Sequence, residues 1–214
     1  MSPESDALID LIAQAEALPE PYLITGPQAA YIYHGWLHPV PKIVDVCIPS
    51  LEGGKAAWQA ALRPPWTVLA QTPTLSQARL ASRIVVLEPC LTEKRYERRV
   101  MYQGLAFISA EDLCIDLLHN SKTQIGLAEI AALLIKQKDN LDWSYLLDET
   151  GSSWLGHRLL EIVAMVNHEA GRVLLETQSL ETQIAPPSNI ASIHPGTLKE
   201  VLRPLRAQWE AANA

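Results

Sequence analysis

Residues 22–49 read YLITGPQAAYIYHGWLHPVPKIVDVCIP, and the fold turns on how this stretch is parsed. Residues 22–25 are apolar and extended in character, so a strand is expected there. Gly26-Pro27 breaks it, and residues 28–34 then have room for about two helical turns. Ala29 and Ala30 let that helix lie close on a sheet. Gly35 is a natural stop, because glycine accepts the left-handed cap conformation. Pro39 and Pro41 keep the connection extended, and residues 42–48 are rich in Ile and Val, as in a strand covered on both faces. Strand, glycine-led helix and strand together predict a sheet with a site above the turn.

Working outward, Ser2-Pro3-Glu4 has the capping and dipole chemistry of a helix start. Leu8, Leu11, Ile12, Ala15 and Leu18 continue it at helical spacing until Pro19 and Pro21. Beyond residue 49, Glu52-Gly53-Gly54 reads as a turn into a short Ala-rich helix through residue 61. Strands are expected at 66–70 and at 83–87, the latter ended by Pro89, while no period decides 72–81. Residues 91–99, LTEKRYERR, read as a charged strand or turn face, and 100–108 as two short strands about Gly104.

From Ser109 the pattern becomes helical. Segments are expected from Ser109, over 127–136, from Leu141-Asp142-Trp143, and from Ser152 or Ser153. The last carries Leu155, Leu159, Ile162, Val163 and Val166 on one face and ends near Gly171. Residues 172–176 read as a final strand. Residues 184–196 are Pro-rich, and Thr197 with Glu200 forms a capping box opening a terminal helix that Pro204 should kink. The expected fold class is α/β (α+β), a mixed β-sheet with flanking helices in a lobe of residues 1–108, then a helical lobe of residues 109–214.

Composition narrows the function classes. Apolar residues make up 48% of the 214 and charged residues 19%, enough apolar content to form a core. The net charge of −7 argues against a globally basic nucleic-acid surface. Cys47, Cys90 and Cys114 are odd in number and widely spaced, without metal-ligand spacing, which predicts core packing and a reducing cytoplasm. The start MSPESDALID has no basic region and no apolar core, so no signal peptide is expected. No apolar run approaches the ~20 residues of a membrane span.

Site chemistry centres on Asp45. Alternate strand residues share a face, so two acids one residue apart on a strand can grip Mg²⁺ and a triphosphate. The layout LITGPQAAYIYHG followed by KIVDVCI resembles the minimal nucleotidyltransferases over residues 22–48. That resemblance implies a nucleotidyltransferase-like scaffold, a nucleotide held at Gly26, Pro27 and Gln28, and Asp45 as catalytic carboxylate. The family's usual Gly-Gly or Gly-Ser is Gly26-Pro27 here, and the positions two away from Asp45 are Ile43 and Cys47. An active enzyme would need Mg²⁺ and a second acid from a neighbouring strand, such as Glu88; otherwise no metal or cofactor is expected.

A second resemblance spans residues 22–165. An Ala-rich helix ending in His34-Gly35, the turn and strand of residues 39–48, the Ser109–Leu118 segment and Leu141-Asp142-Trp143 are similar to the C-terminal domain of AbiEi-type antitoxins of type IV toxin–antitoxin systems. This implies a bacterial, cytoplasmic, non-catalytic regulatory protein acting through protein contacts, its partner a cognate nucleotidyltransferase toxin. Residues 1–21 hold one expected helix, too little for a winged-helix module, so DNA binding is not expected.

Lys94, Arg95, Arg98 and Arg99, with Tyr96 and Tyr102 nearby, offer phosphates, RNA or an acidic partner a cationic strip. A solvated face interleaved with Glu93 and Glu97 is the plainer reading. His34 and His38 have zinc-like spacing but no accompanying glutamate, so a capping role for His34 is expected. No serine or cysteine nucleophile set is nominated.

Overall fold

The computed structural model describes residues 20–35, 37, 43–50, 56, 67–71, 76–80, 83–121, 123–151, 153–176, 184, 199–200, 202–203 and 205–206. The expected helix of residues 2–18, the turn and helix of 52–61, the kink at Pro204 and most of 184–196 lie outside them. The chain forms two compact units, Met1–Ser109 and Ala110–Ala214.

The first unit is a mixed seven-stranded sheet with helices beside it. Strand β1 (Leu23–Thr25) leads directly into helix α1 (Gly26–His34), and β2 (Ile43–Pro49) returns antiparallel to β1. Strands β3 (Thr67–Gln71), β4 (Ser76–Leu80) and β5 (Arg83–Leu91) follow, then helix α2 (Glu93–Glu97) and strands β6 (Val100–Tyr102) and β7 (Leu105–Phe107). The order across the sheet is β3-β4-β5-β2-β1-β7-β6, with β2/β5 and β1/β7 parallel and the other neighbours antiparallel. Leu23, Ile24, Val44, Val46 and Phe107 are buried, as a central strand covered on both faces requires.

Three readings of this unit change. Strand β5 does not stop at Pro89 but runs to Leu91. Its antiparallel neighbour β4 pairs only as far as Leu87, so the missing N–H of Pro89 takes nothing from that ladder. The charged run is not a strand face: Thr92 caps it, its hydroxyl accepting from Arg95 N at 3.3 Å, and residues 93–97 are helical. The cysteines are not all free, because a disulfide joins Cys47 and Cys90 with their Cα atoms 5.4 Å apart. They lie 43 residues apart in sequence, but β5 is the parallel neighbour of β2. The expected pair of strands about Gly104 is present, turned by Gln103 (φ 50°) and Gly104 (φ 82°), the paired positive φ of a tight hairpin.

The second unit contains α3 (Ala110–His119), α4 (Gln124–Gln137), α5 (Trp143–Thr150) and α6 (Trp154–Ala170). Their starts follow capping chemistry: Thr123 accepts from Gly126 N, Asp142 from Tyr145 N, and Ser153 from Leu155 N. Leu155, Leu159, Ile162, Val163 and Val166 are buried along α6, the stripe their spacing predicted, and Gly171 (φ 65°) ends it. Two acids tie α3 to α5. Glu111 accepts from Asp142 N at 2.8 Å, and Asp112 accepts from Tyr145 Oη at 2.9 Å.

No strand forms at residues 172–176. The side chain of Asn167 takes the ladder's place, accepting from Leu174 N and Leu175 N and donating to Leu175 O at 2.7–2.9 Å. No helix among the described residues is long and apolar enough to cross a membrane.

Candidate functional site

Strand register builds the site. In the parallel pair β2/β5, Asp45 lies opposite Val86 and Cys47 opposite Glu88. Side chains alternate along each strand, so Asp45, Cys47, Val86 and Glu88 share one face. The carboxylate that Ile43 and Cys47 cannot supply along β2 thus comes from the adjoining strand. Burial, and secondly the charge of Glu88, push the Asp45 carboxyl up to about 6. A half-buried acid facing a second acid is electrostatically incomplete.

The opposite neighbour of Asp45 is Thr25, and the chain passes from Thr25 into α1 at Gly26. Gly26 has φ +61°, and a Cβ added to it would collide with Asp45 Oδ2. Glycine is needed twice here, for the backbone conformation and for the closeness of approach. The positive end of a nine-residue helix consequently stands beside the Asp45 carboxylate. Thr25 forms no side-chain cap on α1.

Helix α1 is fixed at two points. Gln28 is buried, and its Nε2 donates to Ile43 O, tying the first turn to the start of β2. Tyr33 Oη donates to Ile108 O at 2.6 Å, anchoring the last turn beyond β7. The buried Oε1 of Gln28 has no hydrogen-bond partner among the described residues.

Of the residues singled out from the sequence, Gly26 packs against Asp45, and Asp45 shares its sheet face with Glu88. Pro27 is exposed beside Gly26, and Gln28 serves first as a strut between α1 and β2. The cations belong elsewhere. Lys94, Arg95, Arg98 and Arg99 follow the far end of β5, with the strand running five residues beyond Val86, about 16 Å. Arg99 is committed locally: its guanidinium donates to Tyr96 O at 2.9 Å and lies 4.3 Å from the Tyr96 ring centroid. His34 ends α1, and His38 lies outside the described residues.

Two features escaped the sequence reading. One is the cysteine bridge. The other is a cavity of about 340 Å³ at the far strand ends, lined by Pro21, Pro49, Ser50, Leu91, Glu93 and Tyr96. The Tyr96 hydroxyl donates to Glu20 Oε2 at 3.3 Å. Neither leaves a local periodicity, since both depend on which strands become neighbours.

Could the residues hold a divalent cation? Among the described residues no three His, Cys, Asp or Glu side chains are grouped to enclose one. Mg²⁺ commonly needs only one or two protein carboxylates, with the remaining oxygens coming from water and substrate phosphates. Asp45 and Glu88 are two such carboxylates on one sheet face, with the Gly26 turn packed against Asp45. The donor set fits Mg²⁺ carried in on a triphosphate, not a metal enclosed by protein alone.

No family model matches the chain. No curated protein matches it either. Solved structures do. The antibiotic-resistance factor ANT(2'')-Ia is 13% identical, with a TM-score of 0.45 over 80% of this chain and 95% of that one. A Helicobacter pylori protein described as a candidate nucleotidyltransferase is 12% identical, with a TM-score of 0.45 over 99% of both chains. JHP933 from Helicobacter pylori is 12% identical, with a TM-score of 0.42 over 97% of this chain and 94% of that one. These are likenesses in the course of the chain.

Proposed function

We propose that the first unit is a nucleotidyltransferase-like module that binds a nucleoside triphosphate with Mg²⁺ and transfers its nucleotidyl group to an acceptor hydroxyl. The observation that carries this reading is the juxtaposition of Asp45 and Glu88 on one sheet face, against the Gly26 turn. Both carboxylates would hold the ion. When bound, Mg²⁺ supplies charge neutralisation on the phosphates. In the reaction class proposed, the acceptor oxygen bonds to the α-phosphorus, the bond to the β-phosphate breaks, pyrophosphate leaves, and the acceptor proton passes to solvent. The chain's part is placement: the Gly26 turn keeps the site uncrowded, and the start of α1 favours an anion. This reading carries with it a cytoplasmic location, where nucleoside triphosphates are plentiful, and a bridge that is opened and closed there rather than permanent.

Equilibrium binding of ATP with Mg²⁺ and in chelator tests this. Saturable, Mg²⁺-dependent binding that Asp45→Asn removes is the expected result. Binding unaffected by chelator, or by loss of Asp45, would refute it.

A second reading, the AbiEi-type regulatory role through protein contacts, is favoured by a different observation. Ile43 and Cys47 give the site no third carboxylate, and edge strand β6 exposes Val100, Met101 and Tyr102. Its expected partner is a nucleotidyltransferase toxin made from the neighbouring gene. Purification of that protein with this one, unaffected by Asp45→Asn, would support it; separate elution of the two would count against it.

A further inference from the structure

The cysteine bridge sits in the same patch of sheet as the two acids. Cys47 is two residues beyond Asp45 and directly opposite Glu88, while Cys90 is two residues beyond Glu88. The β2/β5 ladder is regular from Ile43 to Cys47, then shifts, and resumes at Pro49 opposite Leu91. The bridge spans that irregularity. It holds β5 to β2 where backbone pairing is interrupted, immediately past Glu88.

The two sulfurs belong to residues of opposite exposure. Cys47 is buried (1% exposed), whereas Cys90 is exposed. Exchange requires a thiolate to reach a sulfur, so Cys90 is the end open to attack. The third cysteine does not compete: Cys114 is fully buried in the second unit, and burial, then the charge of Glu111, pushes its thiol up to about 12.

We propose that Cys47–Cys90 is a thiol-exchange site, opened by a cellular dithiol attacking Cys90, and that its state sets how closely Glu88 is held to Asp45. The dithiol's thiolate bonds to Cys90 Sγ, the Cys47–Cys90 bond breaks, and its electron pair goes to Cys47 Sγ, which takes a proton. The second thiol of the reductant then displaces Cys90, leaving a cyclic disulfide. Two electrons and two protons pass to the protein. In the reduced state nothing covalent spans the ladder shift, so Glu88 relaxes from Asp45 and the acid pair is less organised for a cation. This last consequence rests on the proposed role of the pair.

The test uses the full chain equilibrated in mixtures of reduced and oxidised dithiothreitol. Free thiols are trapped with N-ethylmaleimide, and intact mass and peptide mapping read the result. Cys47 and Cys90 are expected to convert together, with Cys114 labelled only after denaturation. Amide hydrogen exchange is then compared in the two states, and residues 87–91 are expected to exchange faster when the bridge is open, because nothing then spans the ladder shift. Independent labelling of the two cysteines, labelling of both under fully oxidising conditions, or the same exchange at residues 87–91 in both states would overturn the proposal. Mg²⁺·ATP affinity provides a separate readout, expected to fall about tenfold on reduction, a typical coupling between sites. Failure of Mg²⁺·ATP to bind in either state counts against the nucleotide reading, leaving thiol mapping and hydrogen exchange to decide the exchange site.

Discussion

Glu88 lies two residues beyond Val86, the register partner of Asp45 on the neighbouring parallel strand, so both carboxylates face the same side of the sheet. That relationship supplies the second acid missing from the local sequence around Asp45. It also makes the site costly to the fold, as is common where charge is kept ready for a ligand.

The first consequence concerns stability against pH. The folded-state pKa of Asp45 lies near 6, above its ordinary 3.8, because of burial and then Glu88. The folded state therefore holds the proton longer than the unfolded chain does. The resulting penalty is absent below about 3.8, grows between 3.8 and 6, and is complete above 6. Asp45→Asn is expected to stabilise the protein at pH 7 by about 1–3 kcal/mol and to leave it little changed at pH 3.5. Urea midpoints at the two pH values check this, and an equal shift at both would contradict it.

Cation binding should follow the same group. Mg²⁺ requires the ionised carboxylate, so Mg²⁺·ATP affinity is expected to rise as pH passes through about 6 and to level off near 7. Titration calorimetry between pH 5 and pH 8 measures it. A flat profile would remove Asp45 from the site.

Gly26→Ala tests the turn. The substitution strains a backbone at φ +61° and drives a methyl group into Asp45 Oδ2. A loss of about 1–2 kcal/mol is expected from the left-handed conformation, with further loss from the collision. Mg²⁺·ATP binding should fall as the carboxylate is displaced. Normal stability together with normal binding would show that the turn is not held so tightly.

Covalent linkage should matter to stability as well. The bridge closes a loop of 43 residues, for which loop-closure entropy gives about 4 kcal/mol and typical measured values are about 2–4. Cys90→Ser is expected to lower the stability of the oxidised protein by that amount, measured against wild type in denaturant. No change would mean the bridge is not closed in solution.

In the second unit, Asn167→Ala removes three bonds to the backbone at Leu174 and Leu175. A loss of about 1–3 kcal/mol is expected, because the freed groups are part-buried. Hydrogen exchange should show residues 174 and 175 unprotected first.

Local chemistry made much of this fold readable. Gly26-Pro27, Gly35 and the Ile/Val run about Asp45 mark α1 and β2 through residues only a few positions apart. Thr123, Asp142 and Ser153 mark helix starts in the same way. Misreadings arise where a distant partner decides. Pro89 looks like a stop until β4 is seen to end its pairing at Leu87. Residues 172–176 look like a strand until Asn167 takes over their backbone bonds. The cysteines look unrelated until β5 lies beside β2. Glu88 could be nominated from the sequence as an acid on a neighbouring strand, but the register that puts it on the same face as Asp45 follows only from the pairing of β2 with β5.

The most direct measurement is a double-mutant cycle on Mg²⁺-dependent ATP binding, using wild type, Asp45→Asn, Glu88→Gln and the double variant. If the two acids hold one ion, each single change should abolish most Mg²⁺-dependent affinity and the double change should cost little more than either alone. Additive losses, or wild-type binding that ignores Mg²⁺, would contradict the central claim that Asp45 and Glu88 form one cation site.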